Sequence, residues 1–281
     1  MGTGRGEAGK PGGVTMDAAL DISFGSLALC FVLLLIPLAA SIFLKLGLIK
    51  SLLVAVVRLV GQLLLIGLFL QYLFGLDSTL LNIVWFVIMV GAAKVTIIKR
   101  SGLNVIMLLF PAFLSLSLAG FGVLLFFNAF VVQLDNLFEA KYFIAIGGML
   151  LGNSLRGNII GLTNFYNSLK RNENRYLYTL STGASQVEAI DPYFRKSVSQ
   201  ALSPIIATMA TMGIVFLPGM MTGQIIGGSS PLVAVKYQIA IMIAIFTAVT
   251  ISIIMTILLT VQFSFLENGI LKKEVFRKQN A

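Results

Sequence analysis

Long apolar runs are the feature that most constrains how this chain folds. Each run is long enough to cross a hydrocarbon core of ~30 Å at ~1.5 Å per helical residue. Lipid offers no hydrogen bonds, so the backbone of such a segment must satisfy its own polar groups. The runs do not alternate polar and apolar residues, which favours helices over barrel strands. The predicted spans are Phe24–Leu44, Ser51–Phe74, Leu80–Ile98, Val105–Val131, Tyr142–Phe165, Ala201–Pro218 and Val235–Phe265.

The sequence therefore predicts an all-α, polytopic membrane protein with about seven transmembrane helices. Residues 16–281 are predicted to form a single permease domain, and residues 1–15 a disordered, Gly-rich tail or remnant. The formal net charge of +9 does not indicate nucleic-acid binding, because the basic residues lie in short loops between the spans. The expected partner for the apolar surface is membrane lipid.

The distribution of Lys and Arg predicts the orientation of the chain. In membrane proteins, the loops on the cytoplasmic side carry an excess of Lys and Arg. We expect an outside N-terminus, a cytoplasmic C-terminus and a plasma or inner membrane location. The run Ala201–Pro218 is short and contains Pro204, so either a sixth span or a re-entrant segment fits it. The basic loops that alternate onto one side hold Lys45 and Lys50, Lys99 and Arg100, Lys170 to Lys196, and Lys272 to Lys278.

The inventory of reactive side chains argues against an enzyme. The chain has no histidine and a single cysteine, Cys30, which excludes histidine-based triads, histidine–metal sites and an internal disulfide. No intramembrane nucleophile–base pair is present either. We expect no catalytic residue and no cofactor bound by this chain.

The polar stretch Asn167–Gln200 is predicted to be a structured cytoplasmic loop. Gly183 is a natural helix stop, because glycine tolerates the left-handed conformation. Ser185 and Glu188 have the spacing of a capping box, which predicts a short helix over Gln186–Ile190. Asp191 and Pro192 then have the pattern of a further helix start.

A short helix across the ends of two spans could receive force from an ATPase, or it could be a passive connector at the membrane interface. Sequence alone leaves both readings open. The candidate coupling residues are Thr182, Gly183, Ala184, Ser185, Gln186 and Glu188.

Two short sequence motifs resemble those of a known protein family. Thr182-Gly183-Ala184-Ser185 resembles the Gly-Ala coupling-loop motif of ABC-transporter permeases, although the Glu-Ala-Ala that opens it in many importers is missing. The string Leu217-Pro218-Gly219-Met220-Met221-Thr222-Gly223-Gln224 is similar to the FetB (YbbM) family of iron-export permeases, which includes plant aluminium-tolerance relatives. Arg58 with Gln62, and Gly152 with Asn153, also fit that family.

The resemblance implies a function that neither composition nor spacing shows. It implies a homodimeric permease that pairs with a separate ATP-binding subunit, which holds ATP and Mg. It further implies export of iron or of another metal or metal complex. The alternatives are an ABC exporter of a different, anionic, small substrate and a secondary transporter. A secondary transporter normally needs an inverted repeat and intramembrane carboxylates, and the sequence shows neither.

Polar residues within the spans are candidates for the transport pathway. Arg58 and Gln62 lie one turn apart in the second span, where snorkelling of Arg58 to the interface is the alternative. Asn153 and Arg156 lie in the fifth span. The same span holds two pairs of glycines, Gly148/Gly152 and Gly157/Gly161, at the four-residue spacing of close helix packing.

The outer end of the predicted sixth span is a candidate gate. Pro218 and the glycines that follow it interrupt the helix, and polar or sulfur-bearing side chains could line the opening. Methionine sulfur suits Cu(I) better than iron, so Met220 and Met221 are weak metal-ligand candidates and the metal ligands stay unknown. The gate candidates are Pro218, Met220, Met221, Thr222 and Gln224.

Overall fold

The computed structural model describes residues 22–266 and 268–276, and its regular structure there is helical. The predicted tail, residues 1–15, lies outside the described residues. A 3₁₀ turn, Phe31–Leu34, joins the first two helices, and a π-helical turn, Phe127–Val132, follows the fifth. The helices are α1 Phe24–Cys30, α2 Leu35–Phe43, α3 Ile49–Leu76, α4 Thr79–Ser101, α5 Val105–Phe126, α6 Ala140–Arg171, α7 Glu173–Ser181, α8 Gln186–Thr211, α9 Gly219–Ile226 and α10 Pro231–Ser264.

Six of the described helical segments are long and apolar enough to span a membrane, which confirms the all-α, polytopic fold. The predicted span Ala201–Pro218 is not among them. It is helical only to Thr211, and Met212 has an extended backbone. The reason is that α8 begins much earlier, so its first half carries charged residues and its apolar part is short. The six segments are Phe24–Phe43, Ile49–Leu76, Thr79–Ser101, Leu108–Val132, Ala140–Arg171 and Pro231–Ser264.

The described residues fall into two compact units. The first unit consists of residues 22–54 and 216–238, and the second of residues 55–215 and 239–276 without residue 267. Much of the surface of α1, α2 and α3 is made of exposed leucine, isoleucine and valine, as expected for helices that face lipid.

Helix α6 is the centre of the second unit and packs on α4, α5 and α8. Glycines let it approach α10 closely. A Cβ placed on Gly157 would lie 2.5 Å from Val249, and one on Gly161 would collide with Ile253. The second predicted glycine pair is therefore a close packing site. The first pair differs, because a Cβ on Gly152 would meet nothing within 4 Å.

A buried polar seam joins α6 to α10. The Nδ2 of Asn158 donates to the Oγ of Ser252 at 2.7 Å, and the hydroxyls of Tyr166 and Ser264 share a hydrogen bond of 2.7 Å. All four side chains are fully buried. In lipid, such bonds between helices select one rotation and register of the pair. The seam extends over Ser252, Thr256, Thr260 and Ser264, which recur at every fourth residue of α10.

Carboxylate and amide groups connect the starts of α4 and α6. The Oδ1 of Asp77 accepts from the backbone N–H of Ala140 at 2.7 Å, which places a negative charge at the N-terminus of α6. The Nδ2 of Asn82 donates to the carbonyl of Phe138 at 2.8 Å. Helices α4 and α6 thus start at the same end of the unit, which we call the acidic end (Asp77, Asp135 and Glu139).

The opposite, basic end of the second unit carries Lys99, Arg100, Lys170 and Arg171. C-terminal residues cross this end. The carbonyl of Val275 accepts from the N–H of Asn104 at 2.7 Å, and the hydroxyl of Tyr176 donates to the carbonyl of Gly269 at 2.7 Å. Burial raises the pKa of Tyr176 to about 12, so its hydroxyl stays protonated at neutral pH. The C-terminal segment therefore fixes α7 to the basic end.

Candidate coupling turn and pathway residues

A tight turn at the basic end separates α7 from α8. Helix α7 ends at Ser181, and the N–H of Gly183 donates to the carbonyl of Leu180 at 3.0 Å. Gly183 has φ +92, in the region that favours glycine, and a Cβ there would meet nothing within 4 Å. The backbone conformation, and not a lack of space, requires glycine at this position. The predicted helix stop at Gly183 is confirmed.

Ser185 and Glu188 form the predicted capping box at the start of α8. The Ser185 hydroxyl accepts from the N–H of Glu188 at 3.3 Å, and the Glu188 carboxylate accepts from the N–H of Ser185 at 2.8 Å. The backbone hydrogen bond, helped by the bond from the Ser185 hydroxyl, lowers the pKa of Glu188 below its ordinary value of 4.5. Because the folded-state pKa is depressed, the stabilisation that this hydrogen bond gives to the folded protein is full above about pH 4.5, the ordinary pKa. It is lost as the pH falls through the folded-state pKa.

The prediction of a short helix over Gln186–Ile190 followed by a separate helix is wrong, because α8 runs without a break from Gln186 to Thr211. Asp191 does not cap a helix. Its carboxylate instead accepts from the Nε of Arg195 at 2.7 Å, an ion pair one turn along α8. Pro192 has a φ that suits a helix, and the buried face of α8 holds the helix together on both sides of it. The segment that was predicted to be a polar loop, Asn167–Gln200, thus contains a helical hairpin formed by α7 and α8.

The hairpin of α7 and α8 combines a fixed base with an exposed tip. Tyr176 on α7 and Ala189 and Ile190 on α8 are buried, and the two helices pack on each other. Tyr178 and Val187 flank the turn and are 70% and 72% exposed. We call residues 178–188 the coupling turn; the predicted coupling residues Thr182, Gly183, Ala184, Ser185, Gln186 and Glu188 all lie in it.

Four of the predicted pathway residues lie in the second unit. Arg58 and Gln62 are exposed on α3. Asn153 is half-buried, and its Nδ2 donates to the carbonyl of Met149 at 2.8 Å, one turn back on α6. Arg156 is exposed on the side of α6 that also carries Gly152. The structure thus places Arg156 on an uncovered face of α6, although most of that helix is buried.

The predicted gate residues lie in the first unit. Pro218 precedes α9, which carries Met220, Met221, Thr222 and Gln224 as half-buried side chains. The predicted break of the helix before this segment is confirmed, since residues 212–218 are not helical. The prediction that the glycines after Pro218 also break it is wrong at Gly219 and Gly223, which lie within α9. Within the described residues no group of three or more His, Cys, Asp or Glu side chains could hold a metal ion. Buried Gln224 Oε1 has no hydrogen-bond partner in the described part of the chain.

A cavity of about 420 Å³ lies between α5 and α10 in the second unit. Its walls are apolar except for Thr247, and it includes Phe127 and Val131 of the π-helical turn. Its lining of lipid-facing helices and its lack of charge make it unsuitable for an ion. Neither Asn153 nor Arg156, the pathway candidates on α6, lines this cavity.

Sequence reasoning missed two sets of residues that organise this unit. The hydroxyl seam of α10 has a clear signal, four Ser or Thr residues at four-residue spacing in an otherwise apolar helix. Asp77 and Asn82 have no such signal, because their partners Ala140 and Phe138 are distant in sequence and contribute only backbone groups.

Six span-length helices and a capped hairpin at the basic end define a polytopic, all-α membrane protein. Comparison with known sequences narrows this class. Residues 24–265 match the family model described as "Uncharacterised protein family (UPF0014)", and the chain belongs to this family.

Named relatives of the chain come from bacteria and plants. The chain is 30% identical over 224 residues to "Probable iron export permease protein FetB" of Escherichia coli, covering 79% of this chain and 84% of the relative. It is 30% identical over 220 residues to "UPF0014 membrane protein YjkA" of Bacillus subtilis, covering 77% and 85%. It is 31% identical over 217 residues to "Protein ALUMINUM SENSITIVE 3" of Arabidopsis thaliana, covering 76% and 77%. No solved structure matches the chain.

Proposed function

We propose that this chain is the membrane permease subunit of an ABC exporter, working as a homodimer with a separate ATP-binding subunit that carries ATP and Mg. The proposed substrate is iron or another metal or metal complex, in keeping with the relative named as a probable iron export permease. The basic end is proposed to face the cytoplasm, and the membrane to be the plasma or inner membrane.

The observation that carries this proposal is the coupling turn. A partner can push on a membrane helix only through a contact that does not deform, and the capping box together with the glycine stop makes this turn rigid. The turn also begins α8, which packs on α6 at the centre of the second unit. A force applied at the turn would thus act directly on the membrane helices.

A secondary transporter is the alternative from another class. Such a protein uses intramembrane carboxylates to couple ion movement to transport. The six membrane-spanning helices contain no Asp or Glu, so they offer no such coupling group. An ABC exporter of a different, anionic substrate is compatible with the same structure.

Removing the cap tests the proposed role of the coupling turn. We expect Ser185→Ala to destabilise the first turn of α8 by ~1 kcal/mol, because the N–H of Glu188 loses its acceptor. The expected result is weaker stimulation of the cognate ATP-binding subunit with assembly retained. The measurement is pull-down and ATPase activity of the complex in detergent. If the wild-type permease neither binds nor stimulates an ATP-binding subunit encoded beside it, the proposed function fails.

Cysteine labelling tests the proposed orientation. In a Cys30→Ser background, which removes the natural thiol, we expect Asp135→Cys to react with a membrane-impermeant maleimide added outside intact cells. Asp135 is exposed at the acidic end. The matched variant is Glu173→Cys, exposed at the basic end, which should react only after the cells are opened. The reverse pattern would invert the topology.

A further inference from the structure

Positive charge without negative charge characterises the membrane-spanning helices. All of the 11 Asp and Glu residues of the chain lie outside the six spans. Arg58, Lys94 and Arg156, by contrast, lie within α3, α4 and α6, away from the terminal turns. Lys94 lies 4.5 Å above the ring of Phe113 near the basic end. Arg58 is the tenth of the 28 residues of α3, about 14 Å from the start of that helix, and thus lies closer to a helix end than Arg156 does. Arg156 has no such contact with an aromatic ring among the described residues, and it is not close to an end of its helix.

Arg156 lies at the middle of α6. The helix runs from Ala140 to Arg171, so ~24 Å of helix precede Arg156 and a similar length follows it. A side chain can reach the interface by snorkelling only from near the end of a span. The guanidinium makes no hydrogen bond or ion pair to the described residues, and its side of α6 is exposed. An exposed guanidinium at mid-membrane depth requires a partner other than lipid tails.

A second copy of the chain does not supply this partner. The copy has the same spans and therefore no carboxylate at that depth, and it would bring a second arginine. Space for a ligand is available, because a Cβ on Gly152, one turn from Arg156, would meet nothing within 4 Å. A guanidinium binds carboxylate and phosphate oxygens through paired, planar hydrogen bonds.

We propose that Arg156 binds an anionic oxygen group of the transported substrate, so that a metal crosses as an anionic carboxylate or phosphate complex and not as a bare cation. This inference rests on the proposed transport function and specifies its substrate class. A bare divalent cation would be repelled by Arg156 and would find no oppositely charged side chain in the spans. An anionic complex meets a complementary charge at the middle of its path.

The test is equilibrium binding to the full chain in neutral phosphatidylcholine nanodiscs, with ferric citrate, citrate, inorganic phosphate and Fe²⁺ as separate probes. We expect at least one anionic probe to bind, Arg156→Gln to raise its Kd tenfold or more, and Arg156→Lys to raise it by less. The control Arg100→Gln, at the basic end of α4, should leave the Kd unchanged. Gly152→Leu, which fills the free space beside Arg156, should weaken binding without changing this charge.

Three outcomes would overturn the inference: no anionic probe binds, binding is equal in wild type and in Arg156→Gln and Gly152→Leu, or Fe²⁺ alone binds more tightly than ferric citrate. A lipid phosphate could offer the same chemistry to Arg156. Nanodiscs with anionic phosphatidylglycerol separate the two sources, since abolition of probe binding there would assign the arginine to lipid and contradict the substrate role. Pull-down of the ATP-binding subunit by Arg156→Gln is measured in parallel. Pull-down retained by Arg156→Gln shows that the variant is folded. Pull-down by the wild-type permease, together with no binding of any anionic probe to the wild type, would refute this inference and leave the proposed function standing.

Discussion

Replacing Gly161 with valine is expected to destabilise the second unit by at least about 2 kcal/mol, because the added atoms have no room. A Cβ at this position collides with Ile253 of α10 and lies 3.5 Å from Ala201 of α8. Three helices meet at this glycine, so none can move away without disturbing the others. The expected result is a large drop in the melting temperature of the detergent-solubilised protein, together with poor recovery of the folded form.

Gly152→Val is the matched control for this prediction. It makes the same change in the same helix, but at a position where a Cβ has nothing within 4 Å. The change in intrinsic helix propensity is the same at both sites, so the difference in melting temperature reports the packing alone. Equal melting temperatures for the two variants would show that α6 and α10 do not pack closely at Gly161.

Gly183→Val is expected to abolish, or reduce at least tenfold, the stimulation of the ATP-binding subunit. Gly183 has φ +92, a backbone conformation that is strongly unfavourable for a β-branched residue such as valine. The backbone would therefore change conformation at this position, and the chain would leave α7 in another direction. The capped start of α8 would then be displaced from its partner. Membrane insertion should be unaffected, because Gly183 lies outside the spans. The measurements are pull-down and ATPase stimulation with the purified permease.

Gly102→Val separates loss of coupling from general backbone strain. Gly102 follows α4 at the same basic end, has φ +73 and likewise has no atom within 4 Å of an added Cβ. It lies outside the coupling turn, so we expect similar destabilisation with stimulation largely retained. If Gly183→Val stimulates the ATP-binding subunit as wild type does, the turn is only a connector and the proposed function loses its mechanical basis.

Local signals in the sequence predicted the parts of the fold that depend on neighbouring residues. The capping box of Ser185 and Glu188 and the stop at Gly183 involve groups within five positions of one another, and both were correct. Six of the seven apolar runs were correct for the same reason, since length and composition decide whether a helix can span a membrane.

Features that depend on packing were predicted less well. Asp191 and Pro192 have the pattern of a helix start, but the buried face of α8 keeps the helix continuous and turns Asp191 towards Arg195. The two glycine pairs of α6 look alike in sequence, yet an added Cβ would clash with α10 at Gly157 and Gly161, whereas it would meet only the tip of Met89 at Gly148 and nothing within 4 Å at Gly152. The sequence does not show which face of a helix its neighbours will cover. The roles assigned to Arg58, Gln62 and the α9 residues stay predictions.

In the proposed mechanism, the continuity of α8 would transmit a tilt at the coupling turn to the other end of this helix. Its 26 residues extend over ~39 Å, so a tilt of about 5° at Ser185 would displace its far end by about 3 Å. Pro192 and Pro204 lack the N–H groups that would bond to the carbonyls of Glu188 and Gln200, and these are the points where a helix bends most easily. The displacement that reaches Thr211 would therefore depend on these two prolines, both of which lie outside the coupling turn.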